Sequence, residues 1–176
     1  MNRKALAAAA ACLVMATPAL GAGMFETTFA KPACFGRSYD ASHLRKHPRQ
    51  TVSGISLAYT PNTADGARNT AARFEVGFSF ALKSGANWYA GTAVCKTAKA
   101  AFECSLEGDG GLFRVTPDGK GLRFAVVNRG GTDAGQDQIN LEGDGFASFG
   151  KPGGDDLVFV LPAAREEICN PDGGDY

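Results

Sequence analysis

No stretch of this chain is apolar for long enough to cross a bilayer, which takes about 20 consecutive apolar residues. The best candidate, Ala5 to Ala16, falls short of that. A C-x-x-C spacing is missing, so the usual signature of a redox pair or thiolate metal site is absent. Nor is there a G-x-S-x-G elbow, a P-loop, or a glycine fingerprint opening a helix, which removes the common marks of serine hydrolases and of nucleotide-phosphate binding. Histidine is scarce, with two residues in 176, so general-base chemistry has few candidates. There is no surplus of positive charge either, with 18 Lys and Arg against 18 Asp and Glu. Nucleic acid is therefore not an expected partner.

What is present begins with an address. Arg3 and Lys4 precede the Ala-rich run, and Pro18-Ala19-Leu20-Gly21-Ala22 follows it. A basic start, a short apolar run and small residues make a secretory signal peptide, read here as residues 1–22, with Ala19 as the alternative cleavage point. Cys12 lies inside that run. Removing it leaves Cys34, Cys95, Cys104 and Cys169, an even set that reads as two disulfides in an oxidising compartment, periplasmic or secreted. Three pairings are possible. Cys95 and Cys104 flank a polar turn between two strand-like runs, which pairs them across a hairpin and leaves Cys34 with Cys169. Arg3 and Lys4 leave with the signal, so 16 basic residues then face 18 acidic ones. The charge is unevenly spread. From Lys31 to Arg49 there are five basic residues and only Asp40 acidic, whereas Glu103 to Asp156 holds ten acids against five bases.

Glycine numbers 23, nearly twice the usual share of about 7 per cent, and the apolar pattern is mostly of period two. Ile55, Leu57 and Tyr59 form one face of a strand, which Val52 joins only if Gly54 marks a bulge. Phe74, Val76, Phe78, Phe80 and Leu82 alternate more cleanly still. Trp88 to Cys95 and Phe102 to Leu106 make the disulfide-bearing hairpin. Met24 to Phe29 reads as a short first strand. Asp40 can cap a short helix over Ala41 to His47 that Pro48 terminates.

One sequence recurs. Leu106-Glu107-Gly108-Asp109-Gly110 returns as Leu141-Glu142-Gly143-Asp144-Gly145, and nine of the nineteen positions from Leu106 to Phe124 are identical at an offset of 35. A duplicated hairpin is the simplest reading. In its first copy the apolar parity flips between Leu106 and Phe113, so a glycine bulge is expected to carry one long strand through the motif. Ile139 to Phe149 is expected as the second long strand. Leu157 to Leu161 is apolar on both faces and is expected to be covered twice, with Ala163 to Cys169 forming a turn of helix beyond it. Residues 170–176 read as a disordered tail. The expected architecture is one all-β domain over residues 23–169: an antiparallel up-and-down meander of seven to eight strands, closed or partly closed into a barrel, with one short N-terminal helix. A β-sandwich is the alternative.

Four groups of residues are candidates for a site. His43 and His47, four apart on a helix, present two imidazoles on one face, and with Asp40 they could hold a divalent metal. Glu107 and Asp109 with Glu142 and Asp144 offer oxygen ligands for a hard cation such as calcium, at strands placed roughly 10 Å apart, or two carboxylates for acid and base work. Trp88, Tyr89, Phe78 and Phe80 could line a barrel mouth for an apolar ligand, or fill the core. Arg37, Arg45, Lys46 and Arg49 form a basic surface for a protein partner.

The run Tyr39-Asp40-x-x-His43-Leu44-x-x-His47-Pro48-x-Gln50, with Cys95, Cys104 and a later Gly-Asp-Gly-Gly, resembles exported bacterial small β-barrel proteins with no established activity. In architecture alone the chain is similar to lipocalin-type and periplasmic inhibitor barrels. The expectation is an exported, non-enzymatic binding or accessory protein without a cofactor. It would take a small ligand in its mouth or an envelope protein on its basic segment, an inhibitor-like role included. The alternative is a metal-binding protein built on His43 and His47.

Overall fold

The computed structural model describes residues 20–31, 33–127, 138–143 and 145–170. Its elements run α1 (Leu20–Thr28), β1 (Ala33–Ser38), α2 (Ala41–Lys46), β2 (Val52–Tyr59), β3 (Phe74–Leu82), β4 (Trp88–Ala98), β5 (Ala101–Leu106), β6 (Leu112–Asp118), β7 (Gly121–Val126), β8 (Ile139–Gly143), β9 (Gly145–Phe149), β10 (Val158–Pro162) and α3 (Glu166–Cys169).

Eight strands form one antiparallel sheet in the order β1-β2-β3-β4-β5-β6-β7-β10, with β8 and β9 pairing only with each other. The sheet nearly closes on itself. Phe35 of β1 bridges Ala163 just beyond β10, and the Ala164 N–H donates to the Cys34 carbonyl at 2.8 Å. The all-β barrel expected from the alternation is thus the observed fold, in place of two packed sheets. Gly54 carries the bulge: the β2–β3 register shifts between Val52 and Gly54, which turns Val52 inward, where it is fully buried.

Why the sheet closes follows from what fills it. Phe74, Phe78, Phe80, Phe102, Phe113, Phe124 and Phe149 are all almost completely buried, and each such side chain contributes about 1.5 to 3 kcal/mol of apolar burial. Stacked or tilted rings run along the axis, with Phe78 and Phe124 centroids 5.6 Å apart and Phe113 and Phe124 4.7 Å apart. Cys95 and Cys104 sit directly opposite each other on β4 and β5 and face the same interior. Their disulfide and the Cys34–Cys169 disulfide are both formed, in the pairing the hairpin spacing implies.

The two ends are closed differently. At one end α1 inserts Phe25 and Phe29, which lie one helical turn apart on one face. Phe29 packs 4.7 Å from Tyr59 and 5.2 Å from both Phe74 and Phe102. Met24 to Thr28 is therefore helix and not the expected strand, with Phe29 just beyond it and tied back by its N–H to the Phe25 carbonyl at 2.7 Å; a strand would also deliver both rings to one hole, but only by adding a backbone edge that needs pairing. On the outside of this end, α3 is held against β1 by the Cys34–Cys169 bridge, with Ile168 pressed onto Gly36, where an added Cβ would lie 2.6 Å away. At the other end the β8–β9 hairpin covers the opening. Its Phe149 reaches Phe80 at 4.8 Å and Phe159 at 5.8 Å, and Leu141 fills the space left by the missing side chain of Gly91.

The hairpin revises the reading of the repeat. Leu106 to Gly111 is a reversal, not a bulge: the Leu106 N–H bonds the Gly111 carbonyl at 3.0 Å, and Ser105 pairs with Leu112 on the returning strand. A reversal exchanges the facing parity as a bulge does, which is why alternation alone could not separate them. Ile139 to Phe149, expected as one long strand, likewise turns back between Gly143 and Gly145, with residue 144 outside the described residues. Leu157 to Leu161 is covered on one face only. Phe159 and Leu161 are buried, while Val158 and Val160 are 43 % and 45 % exposed; branched side chains suit a strand on either face. Residues 1–19 of the expected signal peptide, the Gly-rich segment 128–137 and residues 171–176 of the tail lie outside the described residues.

Candidate functional site

Two polar constructions stand at the end of the barrel that β8–β9 covers, on opposite sides of it. The first is the turn between β1 and β2. Asp40 caps α2, its carboxylate accepting the His43 N–H at 2.8 Å. That bond holds the Asp40 carboxyl below the usual carboxylate range. The carboxylate is thereby spent on the helix start and not turned toward the imidazoles. His43 and His47 stack face to face, their centroids 4.4 Å apart, and Tyr39 continues the stack 4.6 Å from His43. His43 Nε2 bonds Gln50 Oε1 at 3.1 Å, and Gln50 Nε2 donates to the Val52 carbonyl at 2.8 Å. Stacked rings direct their nitrogens alongside each other, whereas shared metal ligation needs lone pairs that converge. Among the described residues no three His, Cys, Asp or Glu side chains are grouped as a metal site would require.

The turn is held from a distance of more than a hundred residues. Arg49 donates to Asp155 Oδ1 at 2.8 Å and to the Gly153 carbonyl at 3.1 Å. Asp156, 3 % exposed, accepts the Thr51 N–H and the Thr51 hydroxyl at 2.6 Å each and the Val52 N–H at 3.2 Å. Lys83 reaches the Pro48 carbonyl at 2.8 Å. Arg37 lies over the Tyr39 ring at 5.0 Å, and burial pushes the Tyr39 phenol upward, opposed by Arg37 and reinforced by Asp156. Of the four basic residues expected here, Arg37 and Arg49 are engaged within the fold. Arg45 and Lys46 are exposed on α2, and neither has an ion-pair partner among the described residues.

The second construction unites the two copies of the repeated pentapeptide. Gly91, Thr92, Leu106 to Gly110 and Asn140 to Glu142, with Phe146, line a groove of about 490 Å³. Glu107, Asp109 and Glu142 are exposed along it, and Phe146 is 60 % exposed at its margin. Asn140 joins the copies, its side-chain Nδ2 donating to the Asp109 carbonyl at 2.8 Å and its N–H to the Gly110 carbonyl at 3.0 Å. The expected spacing of two strands in one sheet is corrected, since β8 belongs to the separate hairpin; three of the four acids nevertheless share a groove. Asp144 lies outside the described residues.

The expected aromatic mouth separates into different roles. Phe78 and Phe80 are core, and Tyr89 stacks on Phe80 at 5.5 Å. Trp88 belongs to the outer face, its indole lying over Gly54, where an added Cβ would meet it at 2.5 Å. Asp155, Asp156 and Phe146 were not singled out by the sequence, and Tyr39 and Gln50 entered only as the ends of the run that carries the resemblance. Asp155-Asp156 follows two glycines and reads as turn chemistry, with nothing local to mark it as a clamp.

Compared with known family models, curated proteins and solved structures, the chain matches none of them. Two disulfides indicate an oxidising, non-cytoplasmic location, and no helix among the described residues is long and apolar enough to cross a membrane.

Proposed function

We propose that this is an exported, non-enzymatic protein-binding barrel, periplasmic or secreted, that engages an acidic surface of an envelope partner through the α2 turn. The observation that carries this reading is the contrast between a filled interior and an ordered, charged exterior. Phe149 and the rings beneath it occupy the axis that a lipocalin-like barrel would leave for its ligand, so recognition belongs to the outside. Arg45, Lys46 and His47 stand exposed on a turn clamped by Asp155 and Asp156. Clamping matters because a preordered turn loses less conformational entropy on binding. The non-catalytic reading is supported by the histidines, whose one side-chain hydrogen bond among the described residues goes to Gln50 and not to a nucleophile or a carboxylate. Stacking of His43 on His47 favours docking over the metal-binding alternative.

Fluorescence anisotropy with a labelled Glu-rich peptide tests the reading. Binding is expected to weaken with salt and to be lost in the R45E/K46E variant. Stoichiometric uptake of an apolar probe, with no response to the peptide, would overturn it in favour of a ligand-binding barrel. One zinc ion held per chain in native mass spectrometry, lost on His43→Ala, would overturn it in favour of the metal reading.

A further inference from the structure

The acidic partner of the α2 turn can be narrowed from the molecule itself. The turn lies between β1 and β2, and the groove built from the two Leu-Glu-Gly-Asp-Gly copies opens between β5 and β6. In the order β1 to β7 then β10 these junctions are four places apart in an eight-stranded ring, which puts them on opposite sides of the same barrel end. Both junctions follow strands running toward that end, since β2 and β6 each run back from it. The chain therefore presents a cationic projection on one side and an anionic concavity on the other. They cannot neutralise each other within one molecule.

Each is also unspent. Arg45 and Lys46 have no ion-pair partner among the described residues, and neither do Glu107, Asp109 and Glu142. Some other charges are paired, Arg114 with Glu103 at 3.1 Å on the barrel wall and Arg49 with Asp155 at 2.8 Å beside the turn. A second feature of the groove is apolar. Phe146 has the highest exposure of the large hydrophobic residues described, at 60 %, on a hairpin held by the Asn140 bonds to the opposite copy. An exposed ring beside carboxylates suits a guanidinium, which can take a carboxylate at its edge and an aromatic face above its plane. The opposing turn supplies Arg45 for the ring and Lys46 for the acids.

We propose that the occupant of the acidic groove is the α2 turn of a second copy of this chain, in a head-to-tail contact. This inference rests on the reading of α2 as a docking element and names its partner. Projection and groove are different surfaces, so the contact is heterologous, and each added copy leaves one free turn and one free groove. Such a contact builds rings if the rotation closes and chains if it does not. Its strength is electrostatic at the rim, with Phe146 as the desolvated anchor.

Charge reversal on each side gives the test. Sedimentation velocity of the exported chain should show concentration-dependent association at about 0.05 M salt that weakens at least tenfold near 1 M, where the Debye length has fallen to about 3 Å. R45E/K46E alone and E107K/E142K alone are each expected to remain monomeric, and an equimolar mixture of the two is expected to associate again, because each reversed surface then meets its complement. F146S should weaken the wild-type contact without changing its salt dependence. All of these positions are exposed, and matching circular dichroism verifies that each variant folds. A wild type that stays monomeric at low salt, or reversed variants that fail to rescue each other, would overturn the proposal. If the Glu-rich peptide still bound Arg45 and Lys46 in that case, the docking function would stand and its partner would be another protein. Loss of both would end both.

Discussion

The two ends of this barrel solve one problem, an open hole lined with phenylalanine, by different means. The α1 end is stapled and apolar. Phe25 and Phe29 enter from a helix, the Cys34–Cys169 bridge pins α3 alongside, and Cys95–Cys104 joins β4 to β5 near the same end. At the α2 end there is no disulfide among the described residues. It is closed by a hairpin outside the main sheet, and it carries the capped turn, the buried Asp156 and the acidic groove. The disulfides and the exposed charged surfaces thus sit at separate ends. Rigidity at one end lets the other expose Arg45, Lys46 and Phe146 without risking the core.

This contrast breaks most sharply at the disulfides. Cys34 and Cys169 close a loop of 135 residues and Cys95 and Cys104 one of 9. Chain-entropy reasoning gives about 5 kcal/mol for the first and about 2.5 for the second. Urea denaturation of C34S/C169S against C95S/C104S measures the difference; equal losses would mean that the long bridge adds nothing beyond local packing. Next in size is Phe149→Ala, expected to cost about 3 to 5 kcal/mol, because its ring meets Phe78, Phe80, Phe124 and Phe159. A cost below about 1 kcal/mol would make the hairpin a loose cover and not part of the core. Smaller again is Asp156→Ala, which strands the Thr51 and Val52 N–H groups and should cost about 1 to 3 kcal/mol. Hydrogen exchange should quicken at Thr51 and Val52 while the α1 end stays protected; uniform quickening would contradict a local clamp.

How much of this was legible depended on the range over which each signal acts. Alternation in Phe74 to Leu82 and the glycine at position 54 act within one strand, and both gave the observed barrel and bulge. The cysteine pairing was readable because Cys95 and Cys104 flank a turn of their own hairpin. By contrast, the parity flip after Leu106 has two local solutions, bulge or reversal, and the choice depends on which strand pairs next. The α1 plug carries only Phe25 and Phe29 as a helical signal, too few to outweigh a strand reading. At the candidate site the histidine spacing and the Asp40 cap were visible, since a helix fixes them. Arg49 to Asp155 and Thr51 to Asp156 span more than a hundred residues, and nothing in either local sequence announces the other. The repeated pentapeptide pointed to a duplicated hairpin; what brings its copies together is Asn140, outside the motif.

The smallest effect is the most local, and it tests whether the charged end can loosen while the stapled end holds. Asp40 has its carboxyl lowered by the bond from the His43 N–H. A group whose folded value is depressed stabilises fully above its unfolded value, about 3.9 for an aspartate, and loses that contribution as pH falls through the folded value. The α2 cap should therefore be constant from neutral pH to about 5 and fade only in stronger acid. An NMR titration of the His43 amide should report a midpoint below the ordinary aspartate value, and Asp40→Asn, which keeps an acceptor but cannot ionise, should flatten that curve. A midpoint at or above the ordinary value would remove the carboxylate from the cap. Resonances of Phe25, Phe29 and Cys34 are expected to stay still through the same range, because Asp40 caps α2 at the opposite end of the barrel; if they moved with His43, the two ends would be one cooperative unit and the contrast between them would fail.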